Sequence, residues 1–589
     1  SEQAQSVLAE GGINGAVDVM GENDTPQQHM EDTLKAGVYI ADPRAVEGLC
    51  NMAPDIIMWL RSLGVPFNME DGHMVQRNFG GQKKKRTAYA KSLTGKVIMS
   101  ALIDEARKFE EAGLITRYCS HSFVSLVLKG DGDERRCTGV KVVDIVTFET
   151  MEFEGRVIMA CGGMNGFFPG MTTGTVPNTG DAAAILFSSG VRFSSLEMIQ
   201  YHPTTMGIAG KRCLVSEAAR GEGGRLCILR DGEPWYFMEE RHPEMGNLSP
   251  RDVVAREMFF VSREYKEQGQ VYLDMRHLPK KTWKNRLPDL REEIMHYLNI
   301  DPETDLVPVE PGIHYFMGGI DVDINHKTNI TGLFAAGECC SQYHGANRLG
   351  GNSMLGAIYG GNVAARFIAD TTINLISDEP ENSGSPVIPS EAEGSSPGPA
   401  AFSVEDIFQS DALKLEIRDI LLKALGIVRN EEQMLDAAKQ LSDIFKEREL
   451  KPIERKRILL AMAMVFSALR RKESRGAHYR EDYPERDDEH FKGMITAIYE
   501  NDEMKINPSK ICFVTTNYHV LRSGMLAQKV GLDAEGLASS TKWYFWPNGF
   551  VREVFAILAM LPRQHLTAAA ICFLSAWSVK LAPFLSCLI

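Results

Sequence analysis

Five side chains in this chain have the chemistry to handle a small anionic molecule. They are His202 in "QYHPTT", Ser216 in "LVSEAARGEGG", Arg251 in "LSPRDVVAR", His314 in "PGIHYFMGG" and Arg348 in "HGANRLGGNSM". An arginine grips a carboxylate or phosphate bidentately, and the glycines around Arg348 let that loop approach a ligand closely. Taken singly, each has an ordinary reading. His202 before Pro203 suits a turn, and His314 beside Tyr315 suits a satisfied core histidine. Ser216-Glu217 suits a helix cap, and Arg251-Asp252 suits a surface ion pair worth little. Taken together they offer two histidines, a hydroxyl and two arginines, with glutamates to orient them. That set matches a small molecule carrying two carboxylates.

Such residues need a frame. An apolar strand-like run ending at Ala160 meets Gly162-Gly163, and a second, "NITGLFAAGECC", meets Gly337. Helix-forming "GDAAAILFSSG" follows the first, with Asp181 near its start, and "SMLGAIYGGNVAARFIAD" follows the second. Two strand–glycine–helix units predict an α/β, doubly wound sheet with a ligand at the carboxyl ends of its strands. "PRAVEGLCNMAPDIIMWLRSLG" has apolar residues at helical spacing, and "SFVSLVLKG" and "CTGVKVVDIVTF" read as strands. The divisions expected are a cofactor-binding domain over 1–193, a capping, substrate-binding α+β domain inserted over 194–313, and the second part of the first domain over 314–372. A linker rich in Ser, Pro, Gly and Glu covers 373–403, and a separate helical domain covers 404–512. Residues 513–589 form a partly apolar tail. Its stretch from Leu566 to Val579 spans a bilayer only if Lys580 snorkels, which leaves membrane anchor, buried helix and read-through sequence all open.

At 589 residues, with 44% hydrophobic and 24% charged, the chain can bury a sizeable core. A formal net charge of -14 argues against nucleic-acid binding, which needs a basic face. The 11 cysteines show no CxxC pair, so zinc, an internal iron–sulfur cluster and a secreted disulfide framework are not expected. A cytosolic setting is. The opening "SEQAQSVLAEGGING" has no basic n-region and no long apolar run, and it reads as a chain that begins inside a domain.

The stretches "AEGGIN", "RTAYAKSLTGK", "NTGDA", "YHPT", "SEAARGEGG", "RDVVAR", "HYFMGGI", "GLFAAGE", "HGANRLGGNS" and "ESRGAHYREDYPERDDE" occur in one order. In that order they resemble the flavoprotein subunits of fumarate reductase and succinate dehydrogenase, from the first residues to about residue 505. The resemblance implies FAD as cofactor and a reaction interconverting fumarate and succinate. His202, Ser216, His314 and Arg348 would bind the dicarboxylate, with Glu217 at the same site and Phe79 of "QRNFGG" packing near it. Arg251 would be the proton donor to one substrate carbon, opposite hydride transfer at flavin N5, with Glu217 or Asp252 keeping it in play. Ala9, Glu10, Gly11, Gly12, Asp181, Glu338, Ser353 and Met354 match flavin-contact positions. The resemblance also implies an iron–sulfur subunit as electron partner, a membrane-anchor subunit, and a place on the cytoplasmic face of the membrane. L-aspartate oxidase, a relative with a similar flavin fold, is the alternative enzyme reading, and an inactive fragment without FAD is a third.

Three departures qualify the resemblance. The GxGxxG turn that holds the FAD pyrophosphate in the family is absent from this chain, as is the acidic residue for the adenosine ribose. This implies an N-terminally truncated copy. Gln5 stands where membrane-complex members carry a histidine bound covalently to flavin, so non-covalent FAD is expected. Ser216 replaces the more usual threonine and keeps the hydroxyl, while nothing accounts for Ala218-Ala219 in place of Gly-Cys.

Overall fold

Val157–Met159 and Leu333–Ala335 lie side by side and parallel, Val157 opposite Leu333 and Met159 opposite Ala335. These are the two strand–glycine junctions of the sequence. A parallel pair demands a crossover, and the chain between them supplies a long one. The computed structural model describes residues 4–175, 177–208, 210–377, 410–500, 502–508, 511–516 and 534–539. Within them the chain has the α/β architecture expected, with an inserted α+β segment and a helical carboxyl-terminal part.

Before the first parallel strand come the helices Pro26–Ala36, Pro43–Ser62 and Thr94–Glu111. Pro43–Ser62 starts where the Asp42 carboxylate accepts from the Arg44 N–H, with Pro43 in the first turn. Its residues Val46, Leu49, Cys50, Ala53, Ile57 and Leu60 recur every three or four positions and are fully buried. His121–Lys129, Arg136–Asp144 and Thr150–Glu154 form an antiparallel sheet. Asp181–Ser188 is the helix after the first glycine junction.

The inserted segment brings Ile199–Ile208 and Glu310–Phe316 together as antiparallel neighbours, with His202 opposite Gly312 and register shifts on either side of Tyr201-His202. A second sheet and the helix Arg251–Glu264 enclose a core that includes Leu226, Ile228, Val254, Met258 and Leu273.

The helices Asp411–Ala424, Glu431–Glu447 and Pro452–Arg470 follow. Glu431–Glu447 is capped by the Asn430 side chain and buries Met434, Ala437, Ala438, Leu441 and Ile444. These helices do not build a core of their own, contrary to the separate domain read from their amphipathic pattern. Their apolar faces join Leu186, Phe187, Phe193 and Phe316 in one continuous core.

Residues 1–507 make one compact unit and 508–589 a second. In the second, Ile511–Thr516 pairs in parallel with Ala534–Ser539. The helix beginning at Asn352 runs to Ser377, so it takes in the first residues of the expected linker. The rest of that linker and the apolar stretch from Leu566 to Val579 lie outside the described residues. Among the described residues no helix is long and apolar enough to cross a membrane.

Candidate active site

His202 and His314 sit on adjacent antiparallel strands, and their rings meet edge to face with centroids 5.1 Å apart. Both are buried. Burial first, and then neighbouring Arg251, hold the His202 imidazole well below its usual range. Burial, His202 and Arg251 do the same to His314. Both are therefore neutral near pH 7, and neutral imidazoles act as directional hydrogen-bonding groups rather than charges. His314 Nδ1 is 2.7 Å from the Thr173 hydroxyl. His202 Nδ1 lies between the N–H and the carbonyl of Thr204, while its buried Nε2 has no protein partner.

Arg251 is the first residue of its helix, after Pro250. Its Nε and Nη2 donate to Glu217 Oε2 at 3.0 and 2.6 Å, and Nη1 donates to Gln200 Oε1 at 3.0 Å. Glu217 Oε1 accepts from Arg220 Nη2 at 3.0 Å. Burial alone would push the Glu217 carboxyl up, but Arg251 and Arg220 outweigh it and hold it at about 2. The carboxylate is thus fixed as an anion between two guanidinium groups. Asp252 does not share this role: burial pushes its carboxyl up, and the cation acting on it is Arg256.

Arg348 is buried, with its guanidinium over the Tyr315 ring at 4.4 Å. Its Nε has no partner. Burial, and next the charge of Arg251, pull it down to about 9. A buried, under-partnered guanidinium is costly, and a bound carboxylate would relieve that cost. Gln200 ties this group to Arg251: its Nε2 donates to Asn347 Oδ1 and the Arg348 carbonyl, each at 2.8 Å.

One cavity of about 350 Å³ gathers nearly all of the residues singled out in the sequence. His202, Ser216, Glu217, Arg251, His314, Arg348 and Phe79 line it, as do Ala9, Glu10, Gly11, Gly12, Glu338, Ser353 and Met354. Asp181 is the exception. Its carboxylate pairs with Arg457 Nη1 at 2.7 Å and does not line the cavity. Two further residues complete the site: Gln200, two residues from His202 on the same strand, and Arg220, three residues after Glu217. Those spacings were the available signals.

The wall also fits a flavin. Glu10 Oε2, His202 Nε2 and Arg348 Nε are buried polar atoms on the lining that lack protein partners. Beside them the lining is made of Gly12, Ala160, Gly162, Ala336, Gly337 and Gly351, which leave room for a flat ring system. A Cβ on Gly11 would come within 2.6 Å of the Phe79 ring, so only glycine lets the loop lie this close. Burial raises the Glu338 carboxyl to about 7 despite a hydrogen bond from the Phe316 N–H. Burial and then the charge of Glu293 raise Glu10. Near pH 7 these carboxyls can therefore offer O–H donors as well as acceptors.

Two family models place the chain in the class of flavin-dependent oxidoreductases: "FAD binding domain" matches residues 1–354 and "Fumarate reductase flavoprotein C-term" matches 454–521. The succinate dehydrogenase flavoprotein subunit of Bacillus subtilis is 37% identical over 541 residues, covering 87% of this chain and 92% of that one. The fumarate reductase flavoprotein subunit of Mycobacterium tuberculosis is 34% identical over 541 residues, covering 85% and 89%. An E. coli quinol fumarate reductase structure aligns with a TM-score of 0.67 at 27% identity, over 86% of this chain and 90% of that one. The chain belongs to the family of succinate dehydrogenase and fumarate reductase flavoprotein subunits, with FAD as its cofactor. That family also takes in relatives of other specificity, since the L-aspartate oxidase of Streptomyces coelicolor is 31% identical over 551 residues, covering 86% of each chain.

Proposed function

We propose that this protein interconverts fumarate and succinate, exchanging electrons with an iron–sulfur partner subunit. The observation that carries the reading is the pairing of two buried arginines with two neutral histidines around one cavity. A C4 dicarboxylate uses all four. Arg348 takes one carboxylate through its unpartnered Nε edge, and the charge of Arg251 lies across the site. His202 Nε2, which has no protein partner, faces the cavity, and in the tautomer with its proton on Nε2 it donates to a carboxylate. Polarising both carboxylates draws electron density from the double bond between them.

FAD supplies the two-electron step when bound; Ala9 to Gly12, Glu338, Ser353 and Met354 are the residues that would hold it. Arg251 holds the proton for the other substrate carbon. An isolated guanidinium is too weak an acid for that work. The anionic Glu217, shared with Arg220, gives a route by which the Arg251 proton is replaced. Gln5 lines the cavity as a neutral amide whose Oε1 accepts from the Thr175 N–H at 2.7 Å, which supports non-covalent FAD. Several relatives are named as subunits of larger enzymes, which supports an iron–sulfur partner, a membrane anchor beyond it, and a peripheral place on the cytoplasmic face. The capping segment over 194–313, inserted between two parts of the cofactor-binding domain, remains part of this reading.

The test is fumarate reduction by a reduced viologen dye, with flavin measured in the same sample before and after acid precipitation. Turnover with flavin in the supernatant supports the reading; full flavin loading without turnover overturns it. The Streptomyces coelicolor match favours a second reading, oxidation of L-aspartate. Oxygen uptake with aspartate, in a sample that does not reduce fumarate, would put that reading first.

A further inference from the structure

Three cysteines meet where the two parallel strands end. Because Met159 lies opposite Ala335, the segments leaving those strands stay side by side. The first carries Cys161 and the second Cys339 and Cys340. Cys339 Sγ lies 3.2 Å from the carbonyl oxygens of Met159 and Ala336. The Cys161 and Cys339 thiols lie close enough for each to act on the other's ionisation. Cys340 turns elsewhere, with its Sγ 3.2 Å from the Gly337 carbonyl. Cys161 is half-buried on the cavity wall, while Cys339 is buried behind it. Neither has a part in holding the dicarboxylate.

We propose that Cys161 and Cys339 are a dithiol–disulfide pair set in the cofactor cavity wall, oxidised by hydrogen peroxide in flavin-free protein and shielded when FAD is bound. The shielding half rests on this cavity being the FAD site. Cys161 lines the cavity, so a cofactor filling it would cover that face of the thiol. In the step, one sulfur of the pair, as thiolate, attacks a peroxide oxygen. The O–O bond breaks, and hydroxide leaves and takes up a proton as water. The second thiol then attacks the sulfenic sulfur, the S–S bond forms, and a second water departs. Two thiols lose two electrons and one peroxide gains them. Contact with Cys161 lowers the Cys339 thiol while the same contact raises Cys161. That difference makes Cys339 the better thiolate of the two.

The experiment treats the full chain with hydrogen peroxide, once with flavin bound and once after flavin removal. Remaining thiols are then alkylated and the digest mapped by mass. In the flavin-free sample we expect a linked pair of peptides joining Cys161 to Cys339, released by dithiothreitol. With FAD bound, confirmed by its visible spectrum, linkage should slow by at least about tenfold. Cys161→Ser should remove the link and Cys340→Ser should keep it; the map of the unsubstituted chain decides the matter if either variant misfolds. Cys161 found as sulfinic acid without a link, or linked to Cys340, overturns the pair. Equal rates with flavin bound and absent overturn the shielding. A chain that takes up no flavin instead overturns the cofactor reading, and the Cys161–Cys339 link is then judged on the flavin-free sample alone.

Discussion

Glu217 Oε2 accepts from both Nε and Nη2 of Arg251, at 3.0 and 2.6 Å, while its other oxygen accepts from Arg220. The arginine is thereby held in one orientation by a carboxylate that stays charged throughout the physiological range.

Replacing Arg251 with Ala should remove the proton donor without touching the flavin wall. We expect fumarate reduction to fall by at least about 10²-fold, with flavin content unchanged by visible absorbance. A variant that still reduces fumarate at a rate near that of the parent would falsify the assignment.

Arg348 differs in that its buried Nε has no protein partner, which on the proposed function leaves it for the substrate carboxylate. Arg348→Gln should weaken dicarboxylate binding by about 10²-fold, the loss of a charge-assisted bidentate contact. Titrating bound flavin with succinate or fumarate and following the spectral change gives the affinity. An unchanged Kd would remove Arg348 from the substrate clamp.

Glu217 and Glu338 should shift stability in opposite directions with pH. Glu217, at about 2 against an unfolded value of 4.5, contributes stability that is present above pH 4.5 and lost as pH falls towards 2. Glu338, at about 7 against the same 4.5, contributes stability that is present below pH 4.5 and lost as pH rises through 7. Each shift is worth about 3 kcal/mol. Urea unfolding of flavin-free protein should therefore show Glu338→Gln gaining on the parent between about pH 3.5 and about pH 8, each about one unit beyond the window from 4.5 to 7. Parallel profiles for the two proteins would contradict the raised Glu338 value.

Gly476 supports the Arg348 loop from outside the cavity. It has φ +55°, and a Cβ there would lie 2.6 Å from the Ala346 carbonyl oxygen. The next residue, Ala477, donates its N–H to that same oxygen at 2.9 Å. Gly476→Ala should raise KM for the dicarboxylate by about 5- to 150-fold, the equivalent of the one to three kcal/mol such strain costs, and leave flavin content near that of the parent. A KM equal to the parent's would show that the loop does not depend on this support.

Much of the site was legible because its chemistry is written in short local stretches. His202, Ser216, Glu217, Arg251, His314 and Arg348 each sit in a motif of a few residues, and the structure brings them all to one cavity. Asp181 shows what a short stretch leaves unsaid. An acid at a helix start looks the same in sequence whether it faces a ligand or an arginine, and its partner, Arg457, lies 276 positions away. The carboxyl-terminal helices were foreseen from their periodicity. The pattern showed that each has an apolar face but not what that face meets, and the shared core with Phe187 and Phe316 follows from tertiary packing alone. The contact between Cys161 and Cys339 was hidden likewise, since it depends on parallel pairing across a long crossover.

Ala346 is hydrogen-bonded on one side by the Gly37 carbonyl and on the other by the Ala477 N–H, both at 2.9 Å. Arg475 reaches from the same carboxyl-terminal turn to the Val38 carbonyl, 437 positions away along the chain. Two stretches that are remote in sequence thus close on the loop bearing Arg348. Contacts of such separation form late, since the entropy of closing long loops must be met before they stabilise anything. The support of the Arg348 loop by Arg475 and Ala477 therefore cannot be completed during synthesis until the turn at Gly476 has emerged and docked.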